Sequence, residues 1–211
     1  MYLGNFIKNI DKKYYEINFS GLAFNSKQVK KNNIFFALKG NISDGNRYIS
    51  DAIKNGAKII VSEKNHRINN ENVIFIKNKN PRKLLAEVSY KLLKKKPKNF
   101  VAVTGTNGKS SVADFFYQIL NLDNKRSASV GTVGIQFNNK NKSVVNTTLD
   151  PLKLTKAINY LNKEKIKNII LEASSHGLKQ NRLDGLLFDI GIFTNLSHDH
   201  LDYHKNLKNY L

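Results

Sequence analysis

The chain has 211 residues, 40% hydrophobic and 24% charged, which is enough for one large domain or two modest ones with buried cores. No apolar stretch approaches the roughly 20 residues of a membrane span, and the N-terminus lacks a basic-then-apolar leader. With no cysteine there is neither a disulfide nor a thiolate metal site, as suits a reducing cytoplasm. The formal net charge of +19 is spread along the chain, often beside asparagine as in Lys77–Asn80 and Asn139–Lys142. Only Lys94–Lys98 is dense, and no aromatic ladder for stacking bases accompanies it, so the charge reads as a Lys/Asn bias that suits anionic small substrates better than a polynucleotide groove.

In chain order, Asn33–Leu38 is a short apolar strand ending at Gly40, and Arg47–Asn55 is a helix stopped by Gly56. Lys58–Val61 and Val73–Ile76 are β-branched runs of the kind buried in sheets. Asn80-Pro81 supplies an N-cap and an N1 proline for a helix to about Lys95, with Leu84, Leu85, Val88 and Leu92 on one face and Pro97 as its stop. The basic stretch Lys94–Lys98 is the expected boundary between domains 1–98 and 99–211. Phe100–Thr104 restarts the pattern as a strand. The helix after it carries Val112, Phe115, Phe116, Ile119 and Leu120 as a stripe expected to pack on a sheet. Asp150-Pro151 opens a helix to about Glu164 with Leu154, Ile158 and Leu161 inward. Asn168–Ala173 and Phe188–Thr194 are nearly continuous apolar runs, as expected of parallel strands covered on both faces. The fold class is α/β: a small N-terminal α/β domain, then a doubly wound parallel-sheet domain that binds nucleotide.

Between strand and helix stand Thr104, Gly105, Thr106, Asn107, Gly108, Lys109, Ser110 and Ser111. Strand, glycine-rich turn, lysine, hydroxyl and helix is the order that grips a nucleoside triphosphate. The glycines turn successive N–H groups toward phosphate oxygens, Lys109 reaches the β- and γ-phosphates, and Ser110 holds Mg²⁺ at the positive end of the helix. Val103 stands where a strict Walker A loop has its first glycine, so the reading rests on the Gly-Thr-Asn-Gly-Lys-Ser core and its flanks. Glu172 ends a strand and is either a capping carboxylate or, paired with Ser110, a second oxygen for Mg²⁺. His198, His200 and His204 lack the His-Glu-x-x-His spacing of a zinc site. Asn146-Thr147-Thr148 alone reads as an ordinary polar loop.

Taken together, Thr104–Ser111, Asn146–Pro151, Leu171–Arg182 and Phe193–His204 resemble the signatures of the Mur ligase family, with Phe24–Lys27 and Ile34–Tyr48 similar to its uridine-binding domain. The string Ser-Ser-His-Gly-Leu-x-Gln-x-Arg is that of the MurE type, which adds meso-diaminopimelate or L-lysine to UDP-N-acetylmuramoyl-L-alanyl-D-glutamate in peptidoglycan synthesis. The resemblance spans nearly the whole chain. It implies ATP and Mg²⁺ as cofactors, with Lys109, Glu172 and His200 catalytic and Ser110, Glu172 and His200 holding metal. Ser26, Asn41, Asn146, Thr147, Thr148, Ser174, Gln180 and Arg182 would hold the UDP-muramoyl dipeptide. It further implies an acyl-phosphate mechanism and a monomer that uses no membrane and no nucleic acid.

Lys27 stands where the family has arginine and Leu149 where it has proline, and Leu122–Arg126 is short. Leu211 precedes the family's carbamylated lysine and its amino-acid-binding domain, so these 211 residues by themselves are expected to bind nucleotide weakly and not to turn over. The rival readings are a sister ligase such as MurF or folylpolyglutamate synthase, a non-catalytic UDP-sugar-binding fragment, and a basic P-loop protein that binds nucleic acid.

Overall fold

The computed structural model describes residues 1–40, 43–66 and 72–210, with Leu201 described by its backbone alone. The chain divides into two compact units, Met1–Lys91 and Leu92–Leu211.

In the first unit four parallel strands lie in the order β1 (Gly21–Ala23), β2 (Asn33–Phe36), β3 (Ala57–Ser62), β4 (Ile74–Lys77). Ile34, Phe35, Ile59 and Ile60 are fully buried, as strands covered on both faces require. Helix α1 (Ile49–Lys54) buries Ile49 and Ala52 against Phe35 and Ile60. Helix α2 (Pro81–Tyr90) starts as expected, with Asn80 accepting the Lys83 N–H at 3.0 Å and proline at its first turn. It ends at Tyr90, earlier than the expected Lys95. The cause is tertiary: Asn159 donates to Leu92 O and accepts from Lys94 N–H, and Asn162 donates to Lys95 O. Those bonds fasten the basic stretch within the second unit, and the Lys94 N–H they take is one that a longer helix would bond to Tyr90 O.

The second unit holds a six-stranded sheet whose strands are β5 (Asn99–Thr104), β6 (Ser127–Gly131), β7 (Gly134–Phe137), β8 (Lys140–Lys142), β9 (Asn168–Glu172) and β10 (Ile190–Phe193). Their order is β10-β5-β9-β6-β7-β8. The first four in that order are parallel, whereas β7 and β8 fold back antiparallel. Helix α3 (Lys109–Leu122) follows β5, α4 (Pro151–Lys163) precedes β9, and α5 (Ser175–Lys179) follows it. Two four-residue helices, α6 (Leu201–His204) and α7 (Leu207–Tyr210), come last. Helix α4 buries Leu154, Ile158 and Leu161 as expected.

Two expectations need correction. The buried positions of α3 are Ala113 and Tyr117, with Val112 and Phe116 packed on the core, while Phe115 and Ile119 are 59% and 63% exposed. The Tyr117 hydroxyl accepts from Asn139 N–H, and its carbonyl accepts from the Ser127 hydroxyl. These bonds hold the helix on the β6–β8 side, with its packed face about 60° from the expected stripe, Val112 and Phe116 being common to both. Strand β10, expected to be covered on both faces, is an edge strand paired only with β5, and Ile190 and Phe193 are more than half exposed.

Candidate functional site

The residues singled out in the sequence gather at the C-terminal ends of β5, β6 and β9, where open α/β sheets bind ligands. They line a cleft of about 610 Å³ that brings together Asn107–Ser111, Thr132, Asn146–Thr148, Ser174–His176, Gln180, Arg182, His200 and Tyr210. The glycine-rich loop enters α3 through Gly108 at φ +83°, and Gly105 sits at φ +136°, a conformation that favours glycine.

The loop is held from behind. Thr194 donates its hydroxyl to Asn107 O at 2.6 Å. Asn195 accepts the Asn107 N–H at 3.0 Å on its side-chain oxygen and the Thr106 N–H at 2.9 Å on its carbonyl. Thr106 is buried, with its hydroxyl bonded to Ser197 N–H and Tyr210. The Thr106 and Asn107 amides are therefore committed to the protein. The amides left for an anion are those of the N-cap Gly108 and the first helical turn, Lys109, Ser110 and Ser111, which have no intrahelical acceptor. Thr104 and Gly105 lie outside the main cleft, on a neighbouring cavity of about 330 Å³. Lys109 folds back onto Gly105 O and Thr106 O at 2.6 and 2.8 Å.

Glu172 differs from the expectation. It is 2% exposed and does not line the cleft. One carboxylate oxygen accepts Thr132 N–H at 3.0 Å, and the other accepts the Ser110 and Thr132 hydroxyls at 2.9 and 3.1 Å. It fits only because its neighbour on β6 is Gly131, where a Cβ would come within 2.0 Å of the carboxylate. Thr148 is likewise fully buried. Its hydroxyl donates to Glu172 O and accepts from Ser174 N–H, so it builds the wall and does not reach a ligand. Ser174 caps α5. The Arg182 guanidinium is aimed by Gln180, whose side-chain oxygen takes two of its N–H groups, and by Thr148 O. Thr147 is half-buried and Asn146 exposed at the rim.

His200 reaches the cleft from a left-handed backbone at φ +51°, and its ring meets His176 edge-on at 4.8 Å. Burial first, then the neighbouring His200 and His204, push the His176 imidazole below its usual value. His204 is buried among His176, Tyr203 and Tyr210, and neither ring nitrogen has a hydrogen-bond partner among the described residues.

Among the described residues no three His, Cys, Asp or Glu converge to hold a metal ion. The donors present are a hydroxyl (Ser110), an imidazole (His200) and one carboxylate lying behind Ser110. Such a set fits Mg²⁺, which takes few carboxylates and completes its shell with phosphate oxygens and water.

A second cavity, of about 690 Å³, lies in the first unit. Phe24, Ser26, Lys27, Tyr48, Lys54, Asn55 and Arg82 are among its walls. Asn25 caps the turn that carries Ser26, and Asn55 holds Ser26 O at 2.9 Å. Asn41 lies outside the described residues. The sequence reading did not single out Tyr48, Lys54, Asn55 and Arg82 here, Thr132 in the main cleft, or Thr194 and Asn195 behind its loop. Thr132 had a signal in the glycines at 131 and 134, which mark a tight hairpin turn; Thr194 and Asn195 lay inside the Phe193–His204 signature, where a role was assigned only to His200.

Comparison with known families matches residues 103–211 to the Mur ligase middle domain and residues 18–91 to the Mur ligase family catalytic domain. The chain belongs to the Mur ligase family. A UDP-N-acetylmuramoyl-L-alanyl-D-glutamate–2,6-diaminopimelate ligase from Rickettsia conorii is 41% identical over 207 residues, 96% of this chain and 43% of that protein. The ligase of the same name from Wigglesworthia glossinidia brevipalpis is 39% identical over 92% of this chain and 41% of its own length. A solved structure of a 2,6-diaminopimelate ligase superposes with a TM-score of 0.81 at 32% identity, covering 96% of this chain and 41% of that one. A MurF ligase from Thermotoga maritima in complex with ADP shares the fold, with a TM-score of 0.55 at 22% identity over 90% of this chain and 40% of its own. This Mur ligase chain therefore spans about two fifths of the length of each of these relatives. No helix among its described residues is long and apolar enough to cross a membrane.

Proposed function

We propose that the chain supplies the substrate and nucleotide sites of a MurE-type ligase, which joins diaminopimelate to UDP-N-acetylmuramoyl-L-alanyl-D-glutamate with ATP. The observation that carries this reading is the cleft itself: the α3 N-terminus, Lys109 and Arg182 face one another across a floor built on Glu172. Likeness to relatives named for that reaction supports it.

The reaction begins when the dipeptide's terminal carboxylate attacks the γ-phosphate of ATP, forming an acyl phosphate and releasing ADP. The incoming amine then displaces phosphate to make the amide. Both first partners are anions, so the protein's task is positioning and charge neutralisation. The first-turn amides of α3 and the Lys109 ammonium would hold the β- and γ-phosphates. Arg182, locked by Gln180 and Thr148 O, presents a fixed fork suited to a carboxylate or pyrophosphate. Ser110 and His200 would hold Mg²⁺, with Glu172 supplying negative charge through Ser110. The ion, when bound, would offset charge on the triphosphate and the attacking carboxylate. In the first unit, Lys27, Lys54 and Arg82 beside Phe24 and Tyr48 suit the phosphates and base of the UDP moiety. We place the protein in the cytoplasm as a monomer.

The test is calorimetric titration of the chain with Mg-ATP and with UDP-N-acetylmuramoyl-L-alanyl-D-glutamate. Saturable binding of both is expected. Absence of either, or tighter binding to DNA with a steep salt dependence, overturns the reading.

A further inference from the structure

Thr132 sits in the β6–β7 turn, has no role assigned above, and touches the buried carboxylate with both its backbone and its side chain. We propose that Thr132 is a positioning residue: with two hydrogen bonds it clamps Glu172, the acceptor that fixes the polarity of the Ser110 hydroxyl, and through its own hydroxyl it fixes the polarity of Thr147. The inference rests on the functional reading above and adds to it the chemistry each hydroxyl can offer.

Proton counting carries the argument. A hydroxyl has one proton to donate, and a carboxylate ringed by an N–H and two hydroxyls acts only as an acceptor. The Thr132 hydroxyl, 3.1 Å from Glu172 Oε2, therefore gives its proton to Glu172. Its 2.9 Å contact with the Thr147 hydroxyl must then be donated by Thr147. Thr147, with its own proton committed, offers the cleft a lone pair, which takes an N–H donor such as a peptide amide. Ser110 donates to the same Glu172 oxygen at 2.9 Å and likewise turns a lone pair outward, as a cation ligand requires. The clamp is fixed in place because β6 and β9 pair in register at Val130 and Leu171, which sets Gly131 level with Glu172 and Thr132 one residue beyond it. A Cβ on Gly131 would also lie 2.5 Å from Glu172 Cγ, so the glycine is what leaves room for the clamped side chain.

Thr132→Val keeps the shape and the N–H bond to Oε1 and removes only the hydroxyl. The measurement is ATP affinity of the chain by calorimetry, with Mg²⁺ and again in EDTA. Thr132→Val is expected to lose about tenfold in the Mg²⁺-dependent affinity, equal to about 1.4 kcal/mol, while affinity in EDTA stays within about twofold, and Thr132→Ser is expected to restore the wild-type response. A merely structural residue would lower both affinities together. If valine does not fold at 132, Thr132→Ala predicts the same split. An unchanged Mg²⁺ response in Thr132→Val, or a parallel fall in EDTA, overturns the inference and leaves the functional reading standing. A wild-type chain with no Mg²⁺-dependent ATP binding overturns the functional reading and the inference with it.

Discussion

Replacing Gly105 with alanine tests whether the phosphate loop is shaped by its brace. The residue sits at φ +136°, where a non-glycine residue costs about 1–3 kcal/mol. The new Cβ would also stand 2.0 Å from Thr194 Oγ1, 2.9 Å from Asn195 O and 3.0 Å from Asn195 N. Thr194 could swing away only by giving up its bond to Asn107 O, and Asn195 is backbone, so the Thr106 N–H bond to its carbonyl must lengthen. At about 1 kcal/mol for each of these bonds, the total is about 3–5 kcal/mol. Thermal denaturation should show this as a fall of roughly 10–20 °C in the midpoint of the second unit, with ATP affinity lost wherever the loop yields first. Gly191→Ala is the control, because nothing lies within 4 Å of its would-be Cβ; it should change stability by less than about 0.5 kcal/mol. A Gly105→Ala chain that melts within about 2 °C of wild type and binds ATP normally would refute the claim that Thr194 and Asn195 set the loop.

Gly131→Ala should displace the Glu172 side chain and cost about 1–3 kcal/mol from overpacking, seen as a lower urea midpoint together with loss of Mg²⁺-dependent ATP binding. Glu172→Gln should fold within about 1 kcal/mol of wild type, because the amide oxygen can face Thr132 N–H while the two hydroxyls rotate to accept from its NH₂; calorimetry should still find the Mg²⁺ response abolished. Thr148→Val removes the acceptor of Ser174 N–H and the donor to Glu172 O, for about 2–3 kcal/mol by chemical denaturation. The Lys96 ammonium, and then the Phe100 N–H, hold the Asp189 carboxyl below its usual value of 3.8. The unfolded chain thus takes up that proton first as pH falls. The stabilisation is complete above 3.8 and is lost as pH drops through the lower folded value, so Asp189→Asn should flatten the acid limb of a stability-versus-pH curve.

Much of the site was legible because its chemistry is local. Gly105 and Gly108, followed by lysine, serine and a helical pattern, need only adjacent residues to be recognised, and Asp150-Pro151 announced α4 in the same way. What stayed hidden depends on partners far along the chain. The Thr194–Asn107 brace spans 87 residues, and no local pattern announces it. The buried face of α3 was misjudged because Phe115 and Phe116 are equally apolar, and only the Ser127 and Asn139 contacts with Tyr117 choose between them. The antiparallel strands β7 and β8 were overlooked although Ile135 and Phe137 alternate before Asn138-Asn139, because glycines and asparagines surround so short a run. Glu172 was placed on the right strand end. Its depth behind Ser110 follows from the missing side chain at 131, a feature of the neighbouring strand.

The Lys109 ammonium grips Gly105 O and Thr106 O, the carbonyls of the very turn it belongs to. An arriving phosphate must therefore win this cation from an internal rival, so affinity reports the difference between two grips and not the strength of one. Truncating the side chain at 109 removes a ligand contact and unbuckles the turn at once. A methionine there, similar in length but neutral, will separate those two losses only when ATP affinity is read alongside the rigidity of residues 104–108 in the unliganded protein.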